Sequence, residues 1–180
     1  MNKCIVLIGP PCSGKSAVGK ALADSISYRY VSSGDIARKM AEEDGTIDNL
    51  NAGNMAPEER IREEIDKVFN AGGNIILDGF PRFTQQYEWL MEQFYDYKFT
   101  FVLIDVSISL LFSRMINRNR ADDVAFMERL NYYMNSTVPM VNRINKDGCI
   151  HGGVVCISND GVLQYTINEV KEYLYACRWI

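Results

Sequence analysis

This chain of 180 residues has a single histidine and five prolines, and none of its apolar runs approaches the roughly twenty residues of a membrane span. No membrane partner is therefore expected. Its five cysteines are an odd number without CxxC spacing, which argues against a disulfide framework or a zinc site. Cys4 and Cys156 sit in apolar runs and Cys149 and Cys177 are scattered, so core or incidental thiols are expected. Positive charge is in deficit too: the net charge of −4 gives no support for a nucleic-acid scaffold. Repeats and low-complexity tracts are absent. Met1-Asn2-Lys3 runs straight into an apolar stretch, leaving no room for a leader, so a cytoplasmic location is expected. The length suits one domain, residues 1–180, with a full core. A monomer is expected, with Trp89, Tyr95 and Tyr97 as a candidate contact patch.

What is present is an alternation of short apolar runs with helical segments. Cys4–Ile8, Asn74–Leu77, Phe99–Ile104 and Val154–Ile157 read as fully buried parallel strands, and Tyr28–Val31 as a weaker fifth. Ser16–Ser25 carries Val18, Ala21, Leu22 and Ser25 on one stripe. Pro57–Ala71 opens with proline and two glutamates and repeats Ile61, Ile65, Val68 and Phe69. Thr84–Gln93, Ser107–Arg118, a long segment from about Val124 to Asn145, and Gln164–Cys177 complete the helices. The polar stretch Glu42–Asn54 is expected to link two helices of a small mobile lobe. The pattern predicts an α/β fold: a five-stranded parallel sheet with helices on both faces.

Gly9-Pro10-Pro11-Cys12-Ser13-Gly14-Lys15-Ser16 follows the first strand directly and spells a P-loop. A glycine-bounded loop between strand and helix wraps backbone N–H groups around a polyphosphate. Lys15 can reach the outer phosphates and Ser16 offers a hydroxyl to Mg2+. Nucleoside triphosphate binding is expected. Other polar clusters also fall where strands end: Ser32-Ser33-Gly34-Asp35, Asp78-Gly79-Phe80-Pro81-Arg82, Asp105 and Ser158-Asn159-Asp160-Gly161. Ligands of open parallel sheets bind beyond these carboxyl ends. Arg114, Arg118, Arg120 and Arg129 form a stretch free of lysine, and the guanidinium fork suits phosphate.

With these residues in view, the sequence resembles adenylate kinase and its nucleoside monophosphate kinase relatives. Gly9–Ser16, Ser32-Ser33-Gly34-Asp35-Ile36-Ala37-Arg38, Leu77–Arg82 followed by Gln86, and Arg114–Arg129 carry the likeness in order along nearly the whole chain. The segment from Gly53 to Glu59 has a family counterpart as well. The resemblance implies a P-loop NTPase fold with an acceptor-binding lobe at about 33–73 and a short lid at about 117–123. It implies reversible Mg2+-dependent phosphoryl transfer from ATP to a nucleoside monophosphate, giving two diphosphates. Gly9 to Ala17, with Arg114, Arg118 and the main chain near Gly161, would hold ATP. Ser33, Arg38, Ala56, Gly79, Arg82 and Gln86 would hold the monophosphate, with Arg120 and Arg129 reaching in from the lid. Lys15, Arg82, Arg114, Arg120 and Arg129 would be the catalytic cations. Ser16 would contact Mg2+, and Asp78, with Asp35, would reach it through water. Gln86 can pair with adenine, and it and Ser33 replace the asparagine and alanine common in pyrimidine-specific relatives, so AMP or dAMP is the expected acceptor.

Three departures stand out. Ser16-Ala17 replaces the family's usual Gly-Thr after the lysine, and Cys12 stands where family loops usually carry glycine, which narrows the backbone angles there. The lid is very short: only Asn119 separates Arg118 from Arg120. Water exclusion should suffer, so slow ATP hydrolysis is expected. The lone His151, beside Gly152-Gly153, reads as a turn residue, since a monophosphate oxygen is already ionised and needs no general base. Two alternatives stay open: a pyrimidine or other small-molecule P-loop kinase, and a catalytically weak nucleotide-binding or assembly protein. A GTPase switch is disfavoured, because Asn145-Lys146-Asp147 lacks the spacer of a guanine-reading motif.

Overall fold

The structure is a computed structural model that describes residues 1–52, 54–118, 125–148 and 153–180. Its five strands are β1 (Lys3–Ile8), β2 (Arg29–Ser32), β3 (Ile75–Asp78), β4 (Lys98–Asp105) and β5 (Val154–Ser158). They form one parallel sheet in the order β2-β3-β1-β4-β5. The helices are α1 (Lys15–Ile26), α2 (Ser33–Glu43), α3 (Ile47–Asn51), α4 (Glu58–Asn70), α5 (Thr84–Gln93), α6 (Ile108–Arg118), α7 (Phe126–Tyr132), α8 (Val138–Lys146) and α9 (Leu163–Ala176). A π-helical turn, Tyr133–Thr137, joins α7 to α8.

Period-two alternation sorts the sheet into two cores. Cys4, Val6, Leu77, Phe99 and Phe101 face one side and pack with Ile65, Phe69, Leu90 and Met140 from α4, α5 and α8. Ile5, Leu7, Ile76, Val102 and Ile104 face the other and pack with Val18 and Leu22 of α1 and Val170 and Leu174 of α9. Central β1 and β3 are covered on both faces, which is why they read as continuous apolar runs. The α4 helix starts as its sequence suggests, with Pro57 as cap and Glu58 and Glu59 at the positive end of its dipole. Phe69 at its far end stacks on Phe94 at 4.2 Å and is closed in by Tyr97 and Phe99. Truncating such a ring costs about 3–5 kcal/mol.

Several expectations need correcting. β5 is an edge strand and not fully buried: α9 covers Ile157, while Cys156 on the opposite face is exposed. In α1 the inward residues are Val18, Gly19, Leu22 and Ala23, whereas Ser25 is exposed and donates its hydroxyl to the Leu22 carbonyl. Glu42–Asn54 contains a helix of its own, α3. The segment from 124 to 145 is not one continuous α-helix, since the π turn interrupts it. Trp89, Tyr95 and Tyr97 form no common patch: Tyr97 is buried with its hydroxyl on the Phe69 carbonyl, and Trp89 packs edge-on against Phe80 and Phe94. Only Tyr95 of the three is exposed. No described helix is long and apolar enough to cross a membrane. His151 and Cys149 lie outside the described residues.

Candidate active site

The carboxyl ends of all five strands open on one edge of the sheet, so the P-loop, Ser33, Asp78-Gly79, Asp105 and Asn159 share one crevice. Its two sides are organised separately.

On the P-loop side, Gly9 (φ +153°) and Gly14 (φ +91°) take backbone angles that suit glycine. A Cβ on Gly9 would lie 2.5 Å from the Ile104 carbonyl oxygen, and one on Gly14 2.5 Å from Asn159 Nδ2. Lys15 curls back over the loop, its Nζ donating to the Gly9 and Pro10 carbonyls, each at 2.7 Å, and lying 3.3 Å from Ser13 Oγ. The Ser13 carbonyl is pinned from outside by Asn159 Nδ2 at 2.7 Å and Arg114 Nη1 at 3.2 Å. Asn159 is 2 % exposed; its N–H donates to Asp105 and its Oδ1 accepts from Thr166 Oγ1 at 2.8 Å. Arg114 Nη2 also donates to the Asn159 carbonyl. A trans peptide points its C=O and N–H in opposite directions, so this brace turns the Gly14 N–H away from β5.

Cys12 adopts the left-handed conformation, φ +62°, that its glycine-like position demands. Its half-buried side chain packs with Leu110, Phe112, Met115 and Leu130 onto the cluster of Val106, Leu111 and Phe126. Gly161 is exposed and its surroundings are open.

Between the two sides stands Asp78, 3 % exposed, whose Oδ2 accepts from Ser16 Oγ at 2.7 Å and from the Tyr30 hydroxyl at 2.6 Å.

On the far side, Gly79 (φ +77°) is a hub whose carbonyl accepts from Ser33 Oγ at 2.6 Å and Arg82 Nε at 2.7 Å. Arg82 is fixed at three further points. Its N–H donates to Gln86 Oε1 at 2.8 Å, its carbonyl accepts from Thr137 Oγ1 at 2.8 Å, and its Nη2 lies 3.5 Å from Ser33 Oγ. Met55 Sδ lies 3.7 Å from Nη1. Burial first, then the charge of Arg129 and more weakly that of Arg38, pushes the Arg82 pKa down; Asp78 and Tyr132 act against them. The charges of Arg129 and Arg38 thus both bear on Arg82. Ala56 is half-buried beside the core. Asp35, expected to hold water near a cation, pairs with Arg38 in the first turn of α2. Gln86 is buried at 4 % exposure and spends one lone pair on the Arg82 N–H. Arg120 and most of the expected lid lie outside the described residues, as does the side chain of Arg118.

Three contributors were not singled out from sequence. Asn159 sits in a polar cluster flagged as a strand end, and that placement was the available signal. Tyr30 is spaced two residues before Ser32, which pairs with Asp78 in the sheet, so the two share a face. Thr137 gave no signal, because the π turn shifts its helical phase.

The arrangement offers cations on both flanks of one buried carboxylate. Such a site can hold two anions and spread the charge that develops between them. Comparison with known proteins shows what the chain as a whole is similar to. Residues 8–130 match the family model described as an AAA domain. An adenylate kinase from Corynebacterium urealyticum is 30% identical over 152 residues, covering 77% of this chain and 83% of that protein. One from Encephalitozoon cuniculi is 30% identical over 149 residues, covering 80% and 84%. One from Prochlorococcus marinus is 26% identical over 183 residues, covering 96% and 98%.

Proposed function

The chain belongs to the adenylate kinase family, phosphotransferases that act on nucleoside monophosphates, and we propose that it moves the γ-phosphoryl group of MgATP to AMP or dAMP. The observation that carries this reading is the fourfold anchorage of Arg82 opposite Lys15, with Asp78 between them. An arginine held at its N–H, carbonyl and Nε keeps its remaining guanidinium nitrogens fixed for one task.

Lys15, Arg114, Arg118 and the N–H groups of residues 9–17 take the triphosphate. Lys15 exchanges the Gly9 and Pro10 carbonyls for phosphate oxygens as it does so. Ser33, Arg38, Gly79 and Arg82 take the monophosphate, with Ala56 and Gln86 against the base, between a lobe at about 33–73 and the segment that follows β3. Arg120 and Arg129 meet the transferring group from the lid. An acceptor oxygen, already ionised, forms the new bond to the γ-phosphorus while the bond to the β–γ bridging oxygen breaks, so ADP leaves and no proton moves. The task of the protein is to offset repulsion between two anions.

The donors near the P-loop fit Mg2+: a hydroxyl and a buried carboxylate are hard oxygen groups 2.7 Å apart, and this ion keeps much of its shell as water and phosphate. Ser16 and, through water, Asp78 would hold it. When bound, it would neutralise charge on the phosphates. Because Gln86 Oε1 already accepts from Arg82, adenine recognition rests on its Nε2 and the second lone pair. We extend the proposal to a cytoplasmic monomer, since both substrates are small soluble nucleotides.

A coupled assay across monophosphates tests the reading. AMP or dAMP should turn over fastest; faster turnover with CMP or UMP overturns the base assignment. Release of phosphate without transfer to any monophosphate overturns the acceptor site.

A further inference from the structure

Tyr30 has a position that the proposed reaction does not by itself explain. It lies on β2, and its hydroxyl crosses to the neighbouring β3 to donate to Asp78 Oδ2 at 2.6 Å. Ser16 donates to that same oxygen at 2.7 Å. The ring reaches there through a slot in α1. A Cβ on Gly19 would stand 2.6 Å from Tyr30 Cε2 and 2.8 Å from Leu7 Cδ1, so any other residue at 19 would displace the phenol. Lys20 Nζ lies 5.7 Å from the ring centroid and caps it from outside. A glycine in the middle of a helix costs about 0.5–1 kcal/mol against alanine, and here that cost makes room for one side chain.

We propose that Tyr30 is a positioning residue for the cation of the proposed reaction, holding Asp78 in place when Ser16 turns its hydroxyl from the carboxylate to Mg2+. Two donors share Oδ2, and only one of them belongs to the P-loop. With Ser16 engaged by the ion, Tyr30 is the donor that stays on Asp78. Groups that orient a ligand to a metal typically govern its affinity by about 10–100-fold. The inference rests on the MgATP reading of this site.

The test is ATP binding to the full chain by calorimetry, with EDTA and across a Mg2+ titration, for wild type, Tyr30→Phe and Gly19→Ala; thermal denaturation reports on folding. Tyr30→Phe removes the hydroxyl and keeps the ring. It should bind metal-free ATP as wild type does and require about tenfold more Mg2+ to gain its tighter complex. Gly19→Ala should shift the Mg2+ requirement in the same direction by displacing the ring. A Tyr30→Phe protein with the wild-type Mg2+ requirement overturns the proposal. So does an equal loss of ATP affinity with and without Mg2+, which would make the phenol a packing element only. A wild type whose ATP affinity ignores Mg2+ overturns the cation reading itself, and the role of Tyr30 with it.

Discussion

On the P-loop side of the crevice, Lys15 rests on the Gly9 and Pro10 carbonyls and Arg114 on those of Ser13 and Asn159. On the opposite side, Arg82 rests on the Gly79 carbonyl and Arg38 pairs with Asp35, while the charges of Arg129 and Arg38 bear on Arg82. The first arrangement has carbonyl dipoles occupying the cations, so binding exchanges one set of acceptors for another. The second adds like-charge repulsion on Arg82 to such contacts, so an anion relieves that repulsion as well as forming hydrogen bonds. On the proposed function, the comparison teaches where binding energy would be available for catalysis: the loop would supply a prefolded cradle, and the arginines attraction that grows with the charge between the two substrates.

The largest effects should come from removing one cation on either side. Lys15→Met and Arg82→Ala should each lower turnover by about 10^3-fold in a coupled assay, with the folded state intact by circular dichroism. Next comes the brace of the loop. Asn159→Ala removes one of two hydrogen bonds from the Ser13 carbonyl, which keeps Arg114, and one of two from the Thr166 hydroxyl, which keeps the Ser158 carbonyl; it should lower stability by about 1 kcal/mol in urea while weakening ATP binding and sparing the monophosphate. A loss of monophosphate affinity of the same size would erase the distinction between the two sides.

Arg129→Gln removes one of the charges that bear on Arg82. It should slow turnover, and inorganic phosphate should stabilise the variant less than wild type in a thermal melt. The smallest mutational effect is expected at Cys12. Cys12→Gly relieves a left-handed backbone worth about 1 kcal/mol but gives up packing against the cluster of Val106, Leu111 and Phe126, so stability should stay within about 0.5 kcal/mol of wild type. Away from the crevice, Tyr87 is pushed up to about 12 by burial and then by Asp147, from an ordinary value of 10.0. Its phenol therefore holds its proton more tightly folded than unfolded. Its contribution should be complete below pH 10 and lost towards pH 12, and Tyr87→Phe should flatten that alkaline decline in a pH-resolved melt.

Much of this architecture was legible from residues alone, for reasons that also mark where legibility ends. Apolar runs of four to six residues located four strands, because strands covered on both faces need no polar alternation, while Tyr28–Val31 gave a weaker signal for the edge strand β2. The same reasoning misjudged β5, since an apolar run does not tell an edge from a centre; only the pairing order leaves Cys156 open. Pro57-Glu58-Glu59 marked the start of α4 because cap and dipole chemistry are local. The π turn at Tyr133–Thr137 escaped, because one extra residue per turn moves Thr137 onto the Arg82 carbonyl without altering composition. At the site, the residues of the P-loop and of the Gly79–Arg82 segment were legible as motifs. The groups that brace them were not. Asn159, Tyr30 and Thr137 act from other strands and helices, and their roles depend on which elements the sheet order makes neighbours.

The central claim is that two anions are held at once by separate sets of cations on the flanks of Asp78. Affinities for ATP and for AMP, measured side by side on Lys15→Met and Arg82→Ala, test it most directly. The account predicts a crossed pattern: Lys15→Met loses ATP and keeps AMP, while Arg82→Ala loses AMP and keeps ATP. Parallel loss of both nucleotides in both variants would contradict it, because the crevice would then hold one anion site and not two.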